Sequence, residues 1–376
     1  MMTGVYIHIP FCASKCGYCD FLSFAAEPDL RRAYVDALVR EISLCERLPG
    51  LRLESVFFGG GTPGMLAAQE LAAILTAVSR KADTSSAEIT LEANPGADIS
   101  REKLRALRTA GFNRISLGLQ AAQPHLLNML GRGHTAKDFE RAVNDASAAG
   151  FVNINADIMY ALPGQTPADL ALTLGLLTSL GLQHISAYAL TIEDATPIAR
   201  QLAAGTLIAH DEDSERAMSD QVRTFLANAG YAQYEISNFA KPGCECRHNK
   251  LYWTRQHCLA YGIGAHSFEN NIRRRNTGNI TDYIAADGDT ARITQDSHHL
   301  DTAAQMEEFM FLGLRQTSGI NADEFLRQFG TSLQARYGAQ IAKHQGLGML
   351  EQHGTNLRLT TAGTDVSNIV LADFLL

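Results

Sequence analysis

Apolar and polar positions alternate on two scales along the first 240 residues. Six short, β-branched apolar runs fall at 5–9, 55–58, 88–92, 113–119, 153–159 and 184–190. Between them lie Ala- and Leu-rich stretches, at 29–47, 67–80, 100–110, 136–149 and 167–180, whose apolar residues recur at helical spacing. Ser100 before Arg101 and Glu102 is a helix-start signal, and Gly111 and Gly150 stand where helices should stop. Repeated β–α units predict a parallel α/β sheet. Runs this apolar predict strands covered on both faces, which favours a barrel, complete or partial, over an open two-layer sheet.

In such barrels chemistry gathers at the carboxyl ends of strands. The unusual residues lie there: Pro10-Phe11-Cys12, Gly59-Gly60-Gly61-Thr62-Pro63, Glu92-Ala93-Asn94-Pro95, Gly118-Leu119-Gln120, and Asp157 before Leu162-Pro163-Gly164. The texture changes after Tyr231, where 234–239 reads as a further strand leading into a segment bearing Cys, His and Trp. Beyond about 300 the pattern predicts a small helical, winged-helix-like domain with a final helix. The expected division is 1–240 as barrel, 241–300 as a connecting segment and 301–376 as the helical domain.

Composition adds exclusions. The 376 residues carry 32 Lys and Arg against 40 Asp and Glu, a formal charge of −8, with 46% hydrophobic residues. That is an ordinary globular composition, which excludes collagenous, disordered and small disulfide-rich classes. No apolar run reaches the length of a membrane span, and MMTGVYIHIP lacks the pattern of an export signal, so a cytoplasmic protein is expected. The acidic balance predicts no broad nucleic-acid surface.

Cys12, Cys16 and Cys19 fall within eight residues, while Cys45, Cys244, Cys246 and Cys258 are scattered. Three thiolates from one loop are soft ligands suited to iron–sulfur or zinc. A structural zinc site needs a fourth ligand. Cys244-x-Cys246 is a poor knuckle for it, and His8, on an apolar strand, is more often a hydrogen-bonded core residue. A cubane held by three thiolates would leave one iron open for a ligand.

Residues 6–12, Tyr-Ile-His-Ile-Pro-Phe-Cys, together with 16–21, Cys-Gly-Tyr-Cys-Asp-Phe, resemble the cluster loop of radical S-adenosylmethionine (SAM) proteins. Within that superfamily the chain is similar to the branch holding oxygen-independent coproporphyrinogen III oxidases and the HemW heme chaperones. The resemblance implies a partial (β/α)6 radical SAM barrel of TIM type. It implies a [4Fe–4S] cluster on Cys12, Cys16 and Cys19, with the open iron chelated by SAM, which can be cleaved to a deoxyadenosyl radical. It places Tyr6, Gly59, Gly60, Gly61, Thr62, Glu92, Gln120, Arg132 and Asp157 against SAM. Singly, the glycine run would be a turn, Glu92 and Asp157 capping or solvated groups, and Arg132 surface; their shared position at strand ends favours a site.

The oxidases continue the cysteine motif two residues further and carry an N-terminal arm. Here that position is Phe21, and eleven residues precede Cys12. His248-Asn249-Lys250-Leu251-Tyr252-Trp253 matches the His-Asn-x-x-Tyr-Trp motif that resembles the heme-binding segment of the chaperones. Imidazole is a common heme ligand and the two rings offer flat apolar area. The expectation is a heme chaperone with His248, Asn249, Tyr252 and Trp253 at the heme, His248 as preferred ligand, and His266 and Cys258 as lesser candidates. Cys244 and Cys246 are unassigned, and His125, His134, His184 and His210 are read as structural or surface. The implied partners are heme and apo heme proteins of the respiratory chain, with peripheral membrane association and a homodimer as family expectations. The alternative readings are a coproporphyrinogen III dehydrogenase and, behind it, a radical methyltransferase that opens heme.

Overall fold

A computed structural model describes residues 2–96 and 99–375. The six apolar runs form strands β1 (Thr3–Ile9), β2 (Ser55–Gly60), β3 (Glu88–Ala93), β4 (Arg114–Gln120), β5 (Asn153–Tyr160) and β6 (His184–Ala189). They lie parallel in sequence order. Five predicted helices form as α1 (Pro28–Leu44), α2 (Ala68–Ser79), α3 (Arg101–Ala110), α5 (Ala136–Ala148) and α6 (Pro167–Ser179), joined by the short α4 (Pro124–Leu130). Their starts are chemically marked. Ser100 Oγ accepts from the Lys103 N–H, and Thr135 with Asp138 and Thr166 with Asp169 close reciprocal capping boxes.

Two further helices follow β6, α7 (Pro197–Ala203) and α8 (Glu212–Asn228). The single strand expected at 234–239 is instead an antiparallel pair, β7 (Ala232–Glu235) and β8 (Asn238–Ala240). Glu235 makes the turn, its carboxylate accepting from the Ser237 N–H at 2.9 Å and the Asn238 side chain at 2.5 Å. Residues 241–300, expected to connect, contribute α9 (Arg247–Trp253), α10 (Ile280–Ala286) and α11 (Thr290–Ile293). They also supply β9 (His257–Tyr261), β10 (His266–Glu269), β11 (Ile272–Asn276) and β12 (Thr294–His299). The sheet runs β12-β11-β10-β9-β1-β2-β3-β4-β5-β6-β8-β7 and stays open, because β1 pairs with β9 and β6 with β8. It is a partial barrel with an antiparallel extension at each end.

Val5, Ile7 and Ile9 of β1 are fully buried, as are Val56 and Phe58 of β2 and Leu91 of β3, which places the main core between sheet and helices. Each such side chain contributes about 1.5–3 kcal/mol. A second core around Met310, Phe325, Tyr337, Leu357 and Phe374 defines the C-terminal domain. It contains α12 (Thr302–Gly313), α13 (Ala322–Phe329), α14 (Leu333–Gly346), α15 (Thr361–Asp365), α16 (Ser367–Ala372) and a small sheet of β13 (Ile320–Asn321), β15 (Asn356–Leu359) and β14 (Leu350–His353). Helices with a β14–β15 hairpin match the winged-helix-like expectation. The domain is tied to the barrel through Ile236 N–H to Arg315 O at 3.1 Å, Thr317 N–H to Tyr234 O at 3.1 Å, and an Arg223–Asp365 ion pair at 2.8 Å. No helix among the described residues is long and apolar enough to cross a membrane.

Candidate functional site

Strand β1 sets the geometry by its period of two. While Val5, Ile7 and Ile9 enter the core, Tyr6 and His8 take the other face. His8 Nε2 donates to the Leu22 carbonyl at 2.9 Å and Nδ1 accepts from the Tyr6 hydroxyl at 3.2 Å. Burial pulls its pKa down, so the ring clips the loop as a neutral imidazole. The loop is also pinned at its ends, Cys12 N–H to Phe24 O at 3.1 Å and Phe24 N–H to Pro10 O at 2.8 Å. In its middle, Gly17 donates to Leu130 O at 3.0 Å and accepts from the Ile198 N–H at 3.0 Å. Cys12, Cys16 and Cys19 are therefore carried, half-buried and free of disulfides, on a loop tethered at four points.

The thiols sit among donors. Thr62 Oγ1 receives the Asn94 amide at 3.0 Å and lies 3.5 Å from Cys12 Sγ, close enough for its hydroxyl to donate to a Cys12 thiolate. Arg132 Nη1 lies 3.6 Å from Cys16 Sγ and Nη2 donates to Gly118 O at 3.0 Å. Burial, chiefly, pushes the Cys19 thiol up, with Cys16 and Cys12 adding to the push and Lys15 opposing it. Holding Cys19 as a thiolate thus calls for bound positive charge. Among the described residues no group of three or more His, Cys, Asp or Glu side chains could hold a single metal ion.

Beside the loop, backbone comes bare to the surface. A Cβ at Gly61 would stand 2.7 Å from Phe11 O and 3.0 Å from Cys12 Sγ. At Gly60, where φ is +116°, it would stand 2.7 Å from the His8 ring, and at Gly59 3.1 Å from both Glu92 Oε2 and the Tyr6 ring. At Gly60 and Gly61 only glycine fits without a shift of the neighbours, and at Gly59 a Cβ would be tight. Burial pushes the Glu92 carboxyl up to about 8, the Asp157 charge adding and the Gly60 N–H opposing. At β4, Gln120 adopts φ +66° after a register shift, and a Cβ at Gly118 would meet Arg132 Nη2 at 2.4 Å and Gln120 Nε2 at 2.8 Å. Gly59, Gly60, Gly61, Thr62, Glu92 and Gln120 lie at or just beyond the ends of β2–β4, while Tyr6 and Asp157 sit within β1 and β5 and Arg132 follows α4. A glycine cradle beside three soft ligands, with the buried Arg132 Nε lacking a partner, fits a cluster together with an amino-acid-like ligand.

Behind this rim lie inward polar side chains that no motif in the sequence marks. Asp157 accepts from Ser116 Oγ at 2.8 Å and from Asn155 Nδ2 at 2.8 Å. Asn155 Oδ1 accepts from His184 Nδ1 at 2.6 Å, and His184 Nε2 meets the Tyr234 hydroxyl at 2.8 Å. This chain fixes the Asp157 carboxylate. Its signal was available: Ser116, Asn155 and Ser186 are small polar residues at the inward parity of otherwise apolar strands.

The His-Asn-x-x-Tyr-Trp residues divide on α9. Glu88 caps the helix, accepting from the Arg247 N–H at 2.9 Å and the His248 N–H at 3.3 Å. His248 is 1% exposed. Its Nδ1 lies 2.8 Å from Ser55 Oγ, its Nε2 3.0 Å from the Tyr252 hydroxyl, and its ring stacks on Phe57 with centroids 4.9 Å apart. Burial and then Arg114 pull its pKa to about 3. Tyr252, one helical turn on, is exposed and covers it, while Asn249 and Trp253 are half-buried. The Arg315 guanidinium stands 4.5 Å over the Trp253 ring. Cys246 and Cys258 are buried thiols pushed up to about 12 by burial, and Cys244 is half-buried.

A cavity of about 650 Å³ joins the two regions. Tyr6, Gly60 and Glu92 line it from the barrel, and Tyr252, Trp253 and His266 from the opposite side.

Comparison with known proteins agrees with this architecture. Residues 6–177 match the Radical SAM superfamily and residues 300–366 the HemN C-terminal domain. The chain is similar to the heme chaperone HemW of Lactococcus lactis, 36% identical over 99% of this chain and 97% of that one. It is similar also to that of Bacillus subtilis, 35% identical over 100% and 99%. Among solved structures, coproporphyrinogen III oxidase (HemN) from Escherichia coli superposes with a TM-score of 0.87 over 99% of this chain and 90% of that chain, at 21% identity, which establishes the shared fold. The cofactors that the superfamily implies are a [4Fe–4S] cluster and SAM. With the barrel, the cysteine loop and full-length relatives in agreement, the chain belongs to the HemW heme chaperone family of radical SAM proteins.

Proposed function

We propose that the protein binds heme and delivers it to heme-requiring respiratory proteins from the cytoplasm. In this reading Cys12, Cys16 and Cys19 hold the [4Fe–4S] cluster, and SAM rests on Tyr6, Gly59, Gly60, Gly61, Thr62, Glu92, Gln120, Arg132 and Asp157. Heme occupies the side bearing His248, Asn249, Tyr252 and Trp253. The observation that supports it is the single cavity shared by Tyr6, Gly60 and Glu92 with Tyr252 and Trp253. A cofactor at one end and a flat apolar cargo at the other would share one wall. Docking at a membrane surface and homodimerisation belong to the same reading.

The residues divide the work. When bound, cluster and SAM supply one-electron chemistry. Thr62 directs its proton to the Cys12 sulfur, Ser116 and Asn155 hold the Asp157 carboxylate ready to accept from a ligand hydroxyl, and Glu92 presents a protonated carboxyl at neutral pH. Phe21 and Leu22 line the cavity.

A paired anaerobic assay on one reconstituted sample tests the reading. The expected result is a shifted heme Soret band with no consumption of coproporphyrinogen. Coproporphyrinogen turnover with release of methionine and 5′-deoxyadenosine, without heme binding, would replace the chaperone by a dehydrogenase. Cys12→Ala, Cys16→Ala and Cys19→Ala are each expected to lose nearly all iron and sulfide content.

A further inference from the structure

Two imidazoles line the cavity, His8 and His266. Both ring nitrogens of His8 are engaged, by Tyr6 and by the Leu22 carbonyl, and this bond fixes the cluster loop. His248 lies behind Tyr252, with Ser55 on one nitrogen and the Tyr252 hydroxyl on the other. Iron ligation there would cost both bonds and require the Tyr252 ring to leave. The Cys258 thiol is buried, and Tyr252 stands 3.7 Å from its sulfur. His266 differs on every count. It is exposed, it begins β10, and its ring has no hydrogen-bond partner among the described residues. Partial desolvation of its ring, then Arg275 and Arg273, favour its neutral form, the state in which imidazole binds metal, with Asp296 opposing.

The surroundings suit a tetrapyrrole. The volume of about 650 Å³ is within the range of about 300–1,000 Å³ common for small-molecule sites. Tyr252, Trp253, Phe268 and Leu312 supply apolar surface. At the same wall Arg255 and Arg273 share one carboxylate, Glu308, at 3.1 Å and 2.7 Å, and both stack on Phe268. Two guanidiniums on one carboxylate leave an excess positive charge for an acidic ligand edge, such as propionates. Leu312 and Glu308 both come from α12, so the C-terminal domain closes the far side.

We propose that His266 supplies an axial nitrogen to the iron of heme seated in this cavity, with His248 acting as a positioning residue that holds Tyr252 from behind. This rests on the heme-binding reading above. His266 is exposed and carries no packing role, so its replacement leaves the fold intact.

The test is an anaerobic titration of the reconstituted full chain with ferric protoporphyrin IX, followed by Soret position and magnetic circular dichroism. The wild type is expected to show nitrogen ligation. In His266→Ala that signature disappears and affinity falls at least tenfold, and in His266→Gly added imidazole restores it. Tyr252→Phe keeps the nitrogen signature, because it removes only the hydroxyl that His248 meets. A His266→Ala protein with unchanged spectrum and affinity overturns the assignment of His266 while leaving heme binding in place. A wild type that binds no heme overturns the underlying reading instead.

Discussion

The two walls of the cavity are built by different means. The barrel wall is shaped by backbone: Gly60 lines it between Tyr6, His8 and Glu92, and next to it Gly59 and Gly61 stand where a Cβ would crowd Glu92 and collide with the cysteine loop. The opposite wall is side chain, made by Tyr252, Trp253, His266, Arg255 and Arg273 projecting from α9, β10, β11 and the loop after α9. A wall of backbone tolerates almost no substitution, because its shape is the main chain itself. A wall of side chains can be altered residue by residue, and its chemistry tuned without moving the fold.

Gly61→Ala is the sharpest way to break the contrast. Its Cβ would strike Phe11 O and Cys12 Sγ, neither of which is a flexible tip. Most of the cluster is expected to be lost, measured as iron and sulfide per chain, with a stability loss of about 1–3 kcal/mol. Gly133→Ala is the control: nothing lies within 4 Å of its Cβ, and its effect should stay within about 0.5 kcal/mol.

His248→Ala should destabilise by about 3 kcal/mol, read by denaturant unfolding, since it empties a packed site and leaves Ser55 and Tyr252 unpaired. An unchanged midpoint would show that α9 does not depend on this ring.

The smallest effect is on pH dependence. Burial pushes Glu92 up to about 8 and Glu41 up to about 7. Between the unfolded carboxylate value, about 4.3, and these folded values, the native state holds protons that the unfolded chain has lost. Stability therefore falls as pH rises through that window and levels off above it. Glu41 accounts for the leg ending near 7, and Glu92 extends it to about 8. Glu92→Gln should remove the pH 7–8 leg in thermal melts and reduce the slope below it, where Glu41 alone remains.

The backbone wall was largely legible in the sequence. β1–β6 follow the apolar runs within two residues, because parallel strands buried on both faces have almost no polar interruptions. The strand-end motifs followed from the same topology. Less legible were elements whose cause is a single side chain. Glu235 makes the turn that splits 234–239, and the seven-residue α4 and α7 are too short to show a helical period. In the second wall, His248 and Tyr252 read as neighbours in one motif. A spacing of four residues on a helix stacks one over the other, so only the outer ring reaches the cavity. No one-dimensional pattern says which of the two is outermost; that is decided by Ser55 and Phe57 on a strand 193 residues away.

Strand β1 is hydrogen-bonded on both flanks, to β2 from Gly4 to Ile9 and to β9 from Thr3 to Ile7. Its second partner, 257–261, is synthesised some 250 residues later. During translation the strand that launches the cysteine loop therefore waits with one edge unsatisfied, a long-range pairing that is slow to form and prone to stray association. The strand that launches the loop is therefore paired on both edges only after residues 257–261 have left the ribosome.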